Sequence, residues 1–103
     1  MAPYQPGILA PIPIAARHLF FLATPGARPE RALRALCDCV DGEQTVAGLG
    51  GSLVQALGRE LLGLRVFPAH AGAGFEVPST PAALWCWLRG AERCELVHRA
   101  RRI

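Results

Sequence analysis

Residues 83–90 read ALWCWLRG, and the fold turns on this stretch. In a strand, successive side chains point to opposite faces. Leu84, Cys86 and Leu88 then line one face, and Ala83, Trp85 and Trp87 the other; no charge interrupts either before Arg89. A strand that is apolar on both sides needs cover on both. Residues 17–24, RHLFFLAT, repeat the pattern, with Leu19, Phe21 and Ala23 on one face and His18, Phe20 and Leu22 on the other. Two such strands predict a sheet that needs cover on both faces, more than a chain of 103 residues readily supplies.

The remaining elements follow outward from these two. Residues 1–14 carry four prolines and Gly7, which excludes a helix and predicts an extended arm; Ile8, Leu9, Ile12 and Ile14 make it apolar enough to dock. From Pro25 to Gly42 the sequence predicts a turn and a helix. Pro29 and Glu30 suit its first turn, Leu33, Leu36, Cys37 and Val40 form its apolar stripe, and Asp41 with Gly42 ends it. Thr45–Leu49 reads as a short strand, and Ser52 as the cap of a short helix carrying Leu53, Val54 and Leu57. Residues 58–82 read as a long loop with a strand fragment at Arg65–Phe67. The last stretch, GAERCELVHRARRI, predicts a helix with Ala91, Cys94, Leu96, Val97 and Ala100 as its apolar positions, acids early and arginines late.

The order β-α-β-(short α, loop)-β-α is an alternating α+β pattern. It is one strand short of the ferredoxin-like motif βαββαβ, with the last strand missing. A length of 103 residues fits one domain over 1–103.

Bulk charge excludes little: 11 basic against 8 acidic residues give a net charge of +3. Arg99, Arg101 and Arg102 read as the C-terminal end of a helix. Trp85 and Trp87 sit in an uncharged strand, so no aromatic and basic residues interleave as a nucleic-acid platform requires. No apolar run reaches the length of a bilayer span. The amino terminus, MAPYQPG, lacks the charged and apolar regions of a secretory signal. The expectation is a cytoplasmic chain with reduced thiols, no membrane partner and no nucleic-acid partner.

The candidate chemistry is sparse. Cys37-Asp38-Cys39 has the wrong spacing for zinc and no second pair, and most of Cys37, Cys39, Cys86 and Cys94 read as small buried hydrophobes. His18 reads as a satisfied, partly buried strand residue and His98 as solvent-facing; His70, in the long loop, is the best placed of the three for chemistry. The GLGGSL stretch at 48–53 lacks the glycine spacing and lysine of a phosphate loop and reads as a tight turn. Ser52, Ser79 and Thr80 have no base placed for them by any motif. No catalytic, cofactor-binding or metal-ligating residue is assigned.

Several stretches taken in order resemble the amino-terminal half of the dye-decolourising (DyP-type) haem peroxidases: QPGILAPIP, ARHLFF, GLGGSLVQALG, GLRVFPA, VPSTPAALWCWLRG and ELVHRARR, from about Gln5 to Ile103. The resemblance implies half of a dimeric, barrel-like α+β fold, in which two ferredoxin-like units pack through their sheets. Complete relatives use haem b and hydrogen peroxide to oxidise dyes and other reductants. Their GxxDG motif, distal arginine and haem-ligating histidine have no match here. By resemblance this chain is a structural half that binds no haem and is inactive alone. Its partner is then either a carboxy-terminal peroxidase half or a second copy. The residues by themselves also fit a non-enzymatic assembly module that dimerises through its apolar sheet face. Both readings name Trp85, Trp87, Phe20 and Leu22 as the interface.

Overall fold

The computed structural model describes residues 4–24, 26, 28–59, 62–64, 68–79 and 82–103. Its elements in chain order are β1 (Ala15–Phe21), α1 (Glu30–Cys39), β2 (Thr45–Leu49), α2 (Gly51–Ala56), β3 (His70–Gly72), β4 (Phe75–Val77), β5 (Leu84–Gly90) and α3 (Arg93–Ala100), preceded by a short 3-10 turn at Pro6–Ile8. The chain is a mixed α+β fold with antiparallel sheets. The main sheet has the order β1-β5-β2, and β3 pairs with β4 in a separate hairpin. The stretch ALWCWLRG therefore supplies the central strand. β5 runs antiparallel to both neighbours.

One face of the sheet lies under the helices. Leu36 and Val40 from the α1 segment pack on Cys86, with Leu19, Leu33, Ala47, Leu84 and Ile103 around them. α3 packs on β1 and β5, and Leu88 and Leu96 are fully buried. Each such side chain contributes about 1.5–3 kcal/mol through the apolar surface it removes from water. Burial, and then the charge of Cys39, push the Cys86 thiol above its ordinary range, so it serves as a hydrophobe.

α1 forms because Leu33, Leu36 and Val40 recur at helical spacing, with Glu30 in its first turn. Pro29 is its N-cap residue, and Cys37 faces solvent. The helix stops at Cys39, because Val40 is already extended. Asp41 belongs to the next turn rather than to the helix end. Its Oδ1 accepts from the backbone N–H groups of Glu43, Gln44 and Thr45 at 2.8, 2.9 and 2.9 Å. Partial burial works to raise its pKa, but the three backbone bonds and the charge of Arg99 hold the carboxyl below its usual value.

α3 starts on Glu92, whose carboxylate accepts from the N–H groups of Cys94 and Glu95 at 2.9 and 2.8 Å. Those two bonds lower the Glu92 pKa. Near its end, Arg99 turns inward instead of joining a solvated basic tail. It donates to the carbonyls of Arg89 and Gln44 and to Thr45 Oγ1 at 2.8, 2.6 and 2.9 Å, tying α3 to β5 and to the entry of β2.

Other expectations need correction. The first strand begins at Ala15 and ends at Phe21, not over 17–24, because its span is set by pairing with β5 from Gly90 back to Leu84. The last strand likewise runs on to Gly90. The cap of α2 is Gly50, with Ser52 already inside the helix. The long loop holds the β3–β4 hairpin, turned at Ala73-Gly74 with Gly74 at a positive φ of 79°, and His70 lies on its first strand. The strand fragment expected at Arg65–Phe67 lies outside the described residues. Only Cys86 among the cysteines is buried; Cys37, Cys39 and Cys94 are exposed.

The arm docks, though not through its isoleucines, since Ile8, Ile12 and Ile14 stay exposed. Polar groups hold it. The Gln5 side chain takes both backbone groups of Ala47, donating to its carbonyl and accepting from its N–H at 2.8 Å each. Gly7 N donates to Gly42 O at 2.8 Å. No helix among the described residues is long and apolar enough to cross a membrane.

Candidate docking face

The sheet face away from the core carries the side chains that the alternation assigns to it. Register sets Phe20 beside Trp85 and His18 beside Trp87. On the other flank it sets Gly48 beside Trp85 and Val46 beside Trp87. Aromatic groups from β1 and β5 thus converge on one surface.

Their geometry is specific. Trp85 Nε1 donates to His18 Nδ1 at 3.0 Å, and the two ring planes differ by only 10°. An indole N–H and an imidazole lone pair both point within the plane of their ring. A bond between near-parallel rings therefore makes them coplanar, edge to edge. At its other end the indole lies over β2, because a Cβ on Gly48 would come within 3.0 Å of Trp85 Cε3. Trp85 thus reaches from His18 on β1 to Gly48 on β2. Trp87 and Phe20 keep the same orientation, within 11° and 19° of His18.

One end of this floor is closed. Arg89 lies 4.9 Å from the Trp87 ring centroid and is only 7% exposed. Its guanidinium donates to the carbonyls of Glu43 and Pro11, the latter from the arm. Trp87 Nε1 and Arg89 Nε are buried donors with no hydrogen-bond partner among the described residues. The other end is open. Phe20, 68% exposed, and Leu22, 72% exposed, line an apolar hollow of about 650 Å³ with Trp85, Gly48 and Leu49.

Trp85, Trp87, Phe20 and Leu22 are thus placed as follows: the first three lie on one face, and Leu22, just past the end of β1, lines the hollow beside them. Two residues escaped the sequence reading. His18 is exposed rather than partly buried, and it orients Trp85. Arg89, which looked like the polar end of a strand, is buried over Trp87. Alternation placed both on this face, but their bonds depend on register and on carbonyls distant in sequence.

The other candidates stand apart. His98 lies in the last turn of α3 and His70 on the hairpin. Among the described residues no group of three or more His, Cys, Asp or Glu residues could hold a metal ion. The glycines at 48–51 serve packing: Gly50 N donates to Ala83 O at 2.8 Å, and a Cβ there would overlap the Ala82 carbonyl oxygen.

No protein-family model matches the sequence, and no curated protein matches it.

Proposed function

We propose that this chain is a non-catalytic assembly domain, the amino-terminal sheet unit of a DyP-type peroxidase. Its work is to present one sheet face to a second sheet. The observation that carries the reading is the open aromatic face: Trp85, His18 and Phe20 form an apolar floor opposite a helix-covered core. Exposed apolar surface of this kind marks interaction sites. Flat rings suit the face-to-face packing of two sheets about 10 Å apart.

The ferredoxin-like reading is supported by the order β1-β5-β2. α1 links the two outer strands and α3 follows the central one, as in the first three strands and two helices of that motif. The peroxidase reading rests on the resemblance of the ordered stretches. The GxxDG motif does not occur in the sequence, and the face histidine, His18, has its Nδ1 engaged by Trp85. No haem ligand is assigned to this chain, and any haem chemistry belongs to a partner half. A cytoplasmic setting is part of the same proposal, supported by four cysteines that form no disulfide.

The test combines mass and spectrum. The purified chain is expected to associate, and Trp85→Ser with Trp87→Ser to give monomer while circular dichroism stays that of the folded chain. An unchanged oligomer mass in that variant would sink the docking reading. Titration with haemin, followed by peroxide and a dye, is expected to show only free haemin. A saturable shifted Soret band with dye turnover would mean that this half supplies a working site.

A further inference from the structure

Arg89 is only 7% exposed, and among the described residues it forms no ion pair. A buried guanidinium normally meets a carboxylate, because its charge has lost its water. Here it meets two backbone carbonyls. Nη1 donates to Glu43 O at 3.2 Å and Nη2 donates to Pro11 O. Nε is buried and has no hydrogen-bond partner among the described residues. The fork is rigid: Nε–H and one N–H of Nη2 lie on the same edge and point the same way. That edge grips a carboxylate through two parallel bonds. Pro11 O takes the Nη2 half of it and leaves Nε without an acceptor.

The cover over this edge is lightly held. Pro11 and Pro13 have no N–H to donate. Among the described residues, the bond from Arg89 to Pro11 O is the one hydrogen bond made by residues 10–13, and Ile12 is 94% exposed. The firm anchors lie on either side. Upstream, Gln5 holds Ala47 and Gly7 holds Gly42; downstream, pairing with β5 begins at Ala15. Residues 10–13 can therefore lift without undocking the arm.

We infer that the Nε–Nη2 edge of Arg89 is a binding site for a small free carboxylate, and that residues 10–13 are the strap that closes it. A carboxylate is the nearest match to the peptide carbonyl now seated there. It is flat and places an oxygen at the same point. It adds the second oxygen that Nε lacks and the negative charge that the buried cation lacks. The ligand is small because the strap is tied at both ends. Trp87 walls the site: its ring centroid lies 4.9 Å from the guanidinium carbon, and its Nε1–H also has no partner among the described residues. This goes beyond the proposed function, which uses the open part of the face.

Proton–nitrogen NMR observes both unpartnered N–H groups directly. The probe is sodium formate, with sodium chloride and sodium phosphate at equal ionic strength beside it. A ligand as small as formate binds no tighter than about 1 mM, so the titration runs to about 100 mM. Formate should shift Arg89 Nε–H, Trp87 Nε1–H and the Ile12 amide saturably with one dissociation constant. Trp85 Nε1–H, bonded to His18, should stay in place. Arg89→Lys has no such edge and should lose the Trp87 shift. Trp87→Phe keeps an aromatic wall, and its Arg89 Nε–H should still shift; it supplies the second reading if Arg89→Lys does not fold. Equal shifts from chloride, a saturable response to phosphate with none to formate, or no saturable shift at all would each overturn the inference. Formate binding by a chain that stays monomeric supports this site and sinks the assembly reading; an associating chain without a formate shift does the reverse.

Discussion

A methyl group at position 50 has nowhere to go. Gly50 has an ordinary φ of −88°, so its constraint is not conformational. Its Cα faces the Ala82 carbonyl across the β2–α2 corner. Gly50→Ala is expected to cost about 2 kcal/mol or more through forced backbone shifts. Gly58→Ala, at a φ of +72° with open space around it, should cost only about 1 kcal/mol. Urea unfolding of the two variants separates crowding from backbone strain. Arg99 is the second residue whose identity is fixed. Its planar fork donates to two carbonyls and a hydroxyl, and a lysine cannot reproduce that geometry. Arg99→Lys is expected to lose about 1–3 kcal/mol by the same measurement. Residue by residue, the sequence was readable where a side chain's fate depends on its own strand. Leu84, Cys86 and Leu88 against Trp85 and Trp87 follow from alternation alone. Arg89 and Arg99 were not readable, because their partners are carbonyls of segments far along the chain. His18 was placed on the right face, but its bond to Trp85 needs the register of two strands.

At the scale of elements, the entry to β2 is held by one carboxylate. Asp41 has a folded-state pKa below its ordinary value. Its contribution to stability is therefore complete above the unfolded value of about 4 and is lost as pH falls through the lower folded value. Thermal melts of wild type and Asp41→Ala should differ by about 1–2 kcal/mol near pH 7 and converge as pH falls through the lowered folded-state pKa of Asp41. A constant gap across that window would mean that the charge contributes nothing. Long elements with a period were legible: α1 through Leu33, Leu36 and Val40, and α3 through its early acids. The β3–β4 hairpin was not, since strands of three residues show no period, and its glycine turn reads as loop. The arm was legible as a docked segment, but its apolar residues misdirected the reason. Gln5 does the docking, as a polar side chain standing in for a neighbouring strand.

For the molecule as a whole, the helix-covered face is readable from composition and the open face from its excess of apolar side chains. On the proposed reading the open face meets a second sheet, and the residues of one chain do not name it. Association makes melting depend on concentration. The melting temperature is expected to rise with chain concentration in wild type, and to do so less in Trp85→Ser/Trp87→Ser. A melting temperature independent of concentration in the wild type would argue against association of any kind.

The order β1-β5-β2 also fixes a calendar. Among the described strands of the sheet, the central one is made after both its neighbours, so β1 and β2 emerge from the ribosome before the strand that pairs with them. From Leu49, the end of β2, to Leu84, where β5 starts, synthesis takes roughly 2–7 s at ordinary rates of elongation. For that interval two strands wait with bare hydrogen-bonding groups, and the sheet closes in a single event when its middle arrives. A nascent chain of this design depends on being kept solitary until then, and chaperone capture during translation should concentrate on lengths between residues 49 and 90.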